Sequence, residues 1–212
     1  MATPATPRLS RQRIRDAALD LIDTDGLEKF SMRRLASSLG VSAPSLYSHY
    51  ATREQVLDDV VDLVIADVDT SGFDQGWESG LLRWARSYRA ALAAHPAVAP
   101  LVASGTQHRE QFLAMADRVH AGLVSTGWRP RRATEIAGAV KFVVIGAAVT
   151  PFAAGFSDDP AVYKGRFPYL GQAHRLRAEA GRIDSDAFEL CITSLVRGLH
   201  PGPYPESTDA ET

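Results

Sequence analysis

The stretch Ser31–Arg53, SMRRLASSLGVSAPSLYSHYATR, constrains the chain more than any other. Met32, Leu35, Ala36 and Leu39 recur at helical spacing behind Ser31, a residue type whose hydroxyl caps helix starts. Gly40 supplies the left-handed residue that ends this helix, and Val41 is expected to plug the turn. Ser42 is expected to cap a second helix, Ala43–Tyr50, with Pro44 in its first turn, where a missing N–H costs nothing. Helix, glycine turn and short helix is the plan of a helix-turn-helix, whose second helix enters the major groove of DNA. Many helical hairpins are merely structural, so surface chemistry has to decide. Ser45, Tyr47, Ser48, His49 and Tyr50 crowd hydroxyls and an imidazole onto a helix too short to bury much, which suits phosphate and base-edge contacts.

The helix IRDAALDLIDTDGLEKFSMRRLA followed by GVSAPSLYSHYATREQVLDDVV resembles the N-terminal domain of TetR-type transcriptional regulators, without a gap from about Ser10 to Leu63. The resemblance implies roles for particular residues. Arg33 lies where relatives place a side chain that reaches a base or phosphate, and an Arg there can fork onto guanine O6 and N7. Ala43, Pro44, Ser45 and Ser48 occupy the outward face of the recognition helix, with Ser45 as hydrogen-bonding reader and Ala43 and Pro44 placed for a thymine methyl. Tyr47 and His49 match positions that hold phosphates. Arg53 matches the usual Lys at the start of the fourth helix, an end that favours an anion. Tyr50 stands where Phe is usual, so its ring is expected in the core with the hydroxyl near the backbone. The plainer readings stay open: core aromatics for Tyr47 and Tyr50, an inert surface His49, a solvated Arg33.

Charge is distributed as a DNA reader with a separate body would have it. Residues 1–53 carry eight Lys/Arg against five Asp/Glu, and the remainder fifteen against twenty, within a net charge of -2. The single Cys191 excludes an internal disulfide and fits a reducing cytoplasm. No apolar leader stands in MATPATPRLSRQ. Ile136–Phe156 is long enough to span a bilayer, but Lys141, Pro151 and many Ala and Gly residues favour a buried helix over a membrane span.

The expected order is all-α. Residues 1–9 form a disordered arm; Arg8 and the Arg11, Arg13 and Arg15 that follow are expected either to touch the DNA backbone or minor groove or to make a solvated helix start, and residues 10–53 form the helix-turn-helix domain. The first helix covers about Ser10–Thr24. Thr52 and Gln55 form a capping box that starts a linking helix over 54–70, whose acidic side (Asp58, Asp59, Asp62, Asp67 and Asp69) is expected to face solvent. Residues 71–203 make a larger helical regulatory and dimerisation domain, with helices near Trp77–Ala94, Pro96–Ala103, Gln107–Thr126, Pro130–Ala154, Tyr169–Ala180 and Asp184–Leu199. Residues 204–212 are a disordered tail.

The family's bodies pair through two helices from each subunit. Here the resemblance implies a homodimer interface from Gly138, Gly146 and Thr150 on one helix and Phe188, Ile192, Leu195 and Val196 on the last, reading two half-sites about one helical turn apart or slightly more. The segments HPAVAPLVASG, RFPYLGQAHRL and DAFELCITSLVRGL also resemble the regulatory domain of TetR and close relatives. The same fold implies an effector pocket, with candidate linings Trp84, Tyr88, Leu101, Phe112, Met115, Trp128, Phe142, Phe152 and Phe167; the bland alternative for each is filled core. Tetracycline-binding members chelate magnesium with the drug, yet His95, His108 and His120 lack suitably spaced carboxylates, so no metal or cofactor is expected. No nucleophile–base pair or phosphate loop points to an enzyme. The expectation is a cytoplasmic, DNA-binding, ligand-responsive regulator, a repressor released from a palindromic operator by a small hydrophobic or amphipathic effector, with no membrane partner. The alternative is an effector-blind regulator or activator whose body only dimerises.

Overall fold

The computed structural model describes residues 8–104, 109–150 and 152–201. The expected tail, most of the expected arm, and His108 lie outside the described residues. Among them the fold is all-α, without a strand. The chain forms two compact units: Met1–Asp69 groups with Ser87–Ala116, and Thr70–Arg86 with Asp117–Thr212. The helices Trp77–Ala94 and Glu110–Ser125 each contribute one half to either unit.

In the first unit, α1 (Arg11–Asp25) starts where the Ser10 hydroxyl accepts the Arg13 N–H at 3.2 Å and stops at Gly26, whose φ of 85° suits glycine. Its stripe of Ile14, Ala18, Leu19 and Ile22 is buried. Next comes α2 (Met32–Leu39), capped by Ser31, whose hydroxyl accepts the Arg34 N–H, and closed by left-handed Gly40 at φ 67°. The short α3 (Ala43–Tyr47) follows, then α4 (Arg53–Ala66). Both arms of the Thr52 box form: Gln55 N–H donates to the Thr52 hydroxyl at 3.2 Å, while the Gln55 side-chain carbonyl reaches past Thr52 to the Ala51 N–H at 2.8 Å. Leu35, Leu46, Val56, Val60 and Val61 are fully buried with Ile14 and Ile22, each such side chain contributing about 1.5–3 kcal/mol. The later half of α5 (Trp77–Ala94), α6 (Ala99–Ala103) and the first half of α7 (Glu110–Ser125) complete this unit.

In the second unit, the ring of Phe73 wedges between Gly80 of α5 and Gly122 of α7, and a Cβ at either glycine would overlap it. Trp77 and Trp128 meet edge to face with centroids 5.2 Å apart. Then α8 (Pro130–Val149) buries Ala133, Ile136, Val140 and Val144, and α9 (Ala180–Arg197) buries Phe188, Ile192 and Val196. A two-pronged Arg86–Glu189 pair, at 2.7 and 2.9 Å, ties α5 to α9.

Several expected boundaries shift. The recognition helix stops at Tyr47, because the Ser48 hydroxyl donates to the Ser45 carbonyl at 2.7 Å and the N–H groups of His49 and Tyr50 both turn back to Leu46. The Ser42 hydroxyl does not cap it and pairs with the Ser45 hydroxyl at 2.7 Å instead. No helix forms over Tyr169–Ala180; Pro168 and Gly171 break it into three short 3-10 turns. The last helix begins at Ala180 rather than Asp184, whose carboxylate instead receives the Phe152 and Ala153 N–H groups at 3.2 and 3.1 Å.

Candidate nucleic-acid interface and its supports

The head presents its polar residues selectively. Arg33, second residue of α2, is exposed and makes no hydrogen bond or ion pair among the described residues. Its neighbour Arg34 is held by Asp25 and the Lys29 carbonyl, and Arg15 by Asp16 at 3.0 Å. Tyr47 is 52% exposed, Pro44 and Ser48 are exposed, and Ala43, Ser45 and His49 are half-buried, with Ser48 and His49 in the turn that follows the short helix. Arg53 opens α4 with its guanidinium 5.4 Å over the Phe30 ring and its Nε donating to the Phe30 carbonyl at 3.4 Å, which aims the charge beside the helix start. The sequence-expected contact residues therefore lie on α2, α3 with the two residues after it, and the start of α4.

Tyr50 belongs to the core. It is 1% exposed, and its hydroxyl donates to Asp59 Oδ2 at 2.6 Å while lying 3.2 Å from the Arg11 carbonyl. Arg11 stacks 4.3 Å over the Tyr50 ring and pairs with Asp59 at 3.3 Å, so this basic residue of the arm is held against α4. Burial chiefly, then the bond to Asp59, pushes the Tyr50 phenol up to about 12.

The acidic side of α4 is a correction to the solvated surface expected from sequence. Asp58 accepts from Arg109 Nε at 2.8 Å, Asp59 from Tyr50, and Asp62 from the Phe112 N–H at 3.3 Å in the first turn of α7. Burial raises the Asp62 carboxyl above its ordinary range, against the backbone N–H groups of Gln111, Phe112 and Glu110, which lower it. Arg109 and these carboxylates are what sequence reasoning missed. Their only local signal is three Asp at helical spacing on the polar side of an otherwise apolar helix.

The expected effector lining draws on both units. Tyr88, Leu101, Phe112 and Met115 belong to the first unit, Trp84, Trp128, Phe142, Phe152 and Phe167 to the second. Trp84, Tyr88, Met115 and Trp128 are buried, and Leu101 and Phe112 half-buried. Phe142, Phe152 and Phe167 are exposed at 78%, 66% and 42%. The expected interface also divides. Phe188, Ile192 and Val196 point into the subunit, because the α9 stripe that sequence shows packs on its own chain; Leu195, Gly138 and Gly146 are half-buried and Thr150 exposed. A cavity of about 200 Å³ does join Gly146, Thr150 and Phe188 with Phe152, Asp184 and Cys191 between α8 and α9. His95 pairs with Asp23 at 2.7 Å and His120 lies 3.2 Å from the Thr134 hydroxyl; no metal-binding cluster of His, Cys, Asp and Glu forms among the described residues.

Residues 14–60 match the family model described as bacterial regulatory proteins, tetR family, and residues 73–201 match the one described as tetracyclin repressor-like, C-terminal domain. The chain belongs to the TetR family. An HTH-type transcriptional regulator of Saccharopolyspora erythraea is 30% identical over 161 residues, 74% of this chain and 64% of that protein. The tetracycline repressor protein class A of Escherichia coli is 30% identical over 190 residues, covering 86% of this chain and 87% of that one. The crystal structure of the Streptomyces coelicolor TetR family protein ActR in complex with (S)-DNPA superimposes with a TM-score of 0.69 at 26% identity, covering 90% of this chain and 97% of that one. TetR-family membership makes this chain a helix-turn-helix transcription regulator.

Proposed function

We propose that this TetR-family chain is a ligand-responsive repressor that binds a palindromic operator as a homodimer and is released by a small hydrophobic or amphipathic effector. The observation that carries the reading is the head. Arg33 on α2 stands exposed and unpaired among the described residues and Tyr47 on α3 is exposed, while Arg34, Arg15 and Arg11 are engaged within the protein. Arg33, Ala43, Pro44, Ser45, Tyr47, Ser48, His49 and Arg53 then make the base-edge and phosphate contacts.

Self-association is supported by α8. The stretch Pro130–Gly155 is apolar and long enough to cross a membrane by length and composition, yet only 24% of its apolar window is buried within the subunit. Phe142 on α8 and Leu190 on α9 (69% exposed) leave an apolar face that a second copy would cover, with Gly146 and Thr150 beside it. On this reading the chain works in the cytoplasm, with no membrane partner and no cofactor or metal of its own. Effector response is supported by the relatives named tetracycline repressor and by ActR, solved in complex with (S)-DNPA.

DNase I footprinting on the DNA upstream of its own coding sequence tests the reading. It predicts one protected palindrome, with half-sites about one helical turn apart or slightly more. Protection spread without sequence preference would contradict it, and a protected site that no small molecule releases would favour the effector-blind alternative.

A further inference from the structure

We infer that Arg109 is a positioning residue for DNA binding, which fixes α4 and through it the recognition helix without touching DNA; the inference rests on the DNA-binding reading above. Its side chain is 7% exposed. Nε donates to Asp58 Oδ1 at 2.8 Å and Nη1 to the Leu101 carbonyl at 2.9 Å, so one guanidinium joins α4 to α6. One residue along α4, Asp59 accepts the hydroxyl of Tyr50, three residues past the end of the recognition helix. One turn further on, Asp62 receives the Phe112 N–H at the start of α7. The carboxylates of α4 therefore face two ways: Asp58 and Asp62 hold the α6–α7 segment, and Asp59 holds α1 and the close of the helix-turn-helix.

This arrangement restricts where α4 can sit. A guanidinium this buried is stable only while its partners match it, whereas Asp58, 35% exposed, keeps access to water. Sliding α4 away from α6 would strand the guanidinium, so α4 is confined to positions that keep Arg109 paired. Whatever position α4 takes is passed on by the Tyr50–Asp59 bond. The link needs no contact between Arg109 and DNA, and a remote residue in such a network shifts affinity by roughly tenfold.

The test compares full-length wild type, Arg109→Met, Asp58→Asn and the double variant. Hydrogen exchange over residues 42–66, thermal stability, and affinity for the upstream DNA at several salt concentrations are read for each. Arg109→Met is expected to raise exchange over 42–66 about tenfold and weaken DNA binding by a similar factor. The salt dependence should stay unchanged, since no phosphate contact is lost. The double variant removes the unpaired carboxylate, so its melting temperature should recover while exchange and affinity do not. Recovery of all three together would reduce Arg109 to a structural role and overturn the inference. Faster exchange confined to residues 99–116, or a shallower salt dependence in Arg109→Met, would overturn it as well. If Arg109→Met does not fold, Asp58→Asn, which keeps an acceptor for Arg109, carries the comparison at a smaller expected rise. If wild type fails to bind DNA, the functional reading falls, while the exchange measurement still decides the positioning role.

Discussion

The Tyr50 hydroxyl donates to Asp59 Oδ2 at 2.6 Å, joining the close of the helix-turn-helix to the middle of α4. A Phe at this position could not make the bond. It gives Tyr50 a polar task inside the core and takes it away from DNA.

Replacing Tyr50 by Phe should cost about 1 kcal/mol of stability at neutral pH, the net value of one hydrogen bond. The alkaline limb carries a sharper signature. A phenol raised to about 12 contributes stability that is fully present below its ordinary value near 10 and is lost as pH rises through 12. Urea melts between pH 10 and 12 should therefore fall less steeply for Tyr50→Phe than for wild type. Parallel curves would show that the phenol is not buried as described.

The Arg33→Ala, Tyr47→Phe double variant should lose DNA affinity by about 1–3 kcal/mol for the guanidinium contact and a further fraction for the hydroxyl. Its oligomeric state should not change, since neither residue belongs to α8 or α9. Anisotropy titrations paired with size-exclusion chromatography check this, and undiminished affinity would remove both residues from the interface.

Gly80→Ala and Gly122→Ala should each destabilise the fold, although alanine ordinarily improves a helix by roughly 0.5–1 kcal/mol over glycine. Overpacking against Phe73 costs about 1–3 kcal/mol and decides the sign. Gly138→Ala is the control, because nothing lies within 4 Å of its Cβ direction within the subunit. Chemical denaturation separates the two cases.

Phe142→Asp should leave the helical content of the subunit intact, since its ring is 78% exposed, while weakening self-association by two orders of magnitude or more, as a charge in an apolar interface would. Sedimentation across a concentration range measures it. An unchanged association constant would place the dimer contact elsewhere.

What was legible in the sequence is what is local. Ser31, Gly40 and the Thr52–Gln55 box act on backbone within a few residues, so their types and spacing reveal their geometry. Arg33 and Tyr47 were legible because an exposed position on a known motif needs no knowledge of neighbours. Asp184 has the look of a helix start, but its carboxylate serves Phe152 and Ala153, about thirty residues away in sequence. Asp58 and Arg109 are 51 residues apart, and no spacing rule reaches that far. The α9 stripe of Phe188, Ile192 and Val196 was visible as a stripe; periodicity says that a face is buried, not whether its neighbour is the same chain or a second copy.

The central claim is sequence-specific DNA recognition by the exposed head. Fluorescence anisotropy of the full-length protein on its own upstream DNA, with excess nonspecific competitor and at several salt concentrations, tests it most directly. Saturable binding is expected that survives competitor and weakens smoothly with salt in proportion to the phosphate contacts made. Binding that disappears with competitor or modest salt, equal on any duplex, would contradict it.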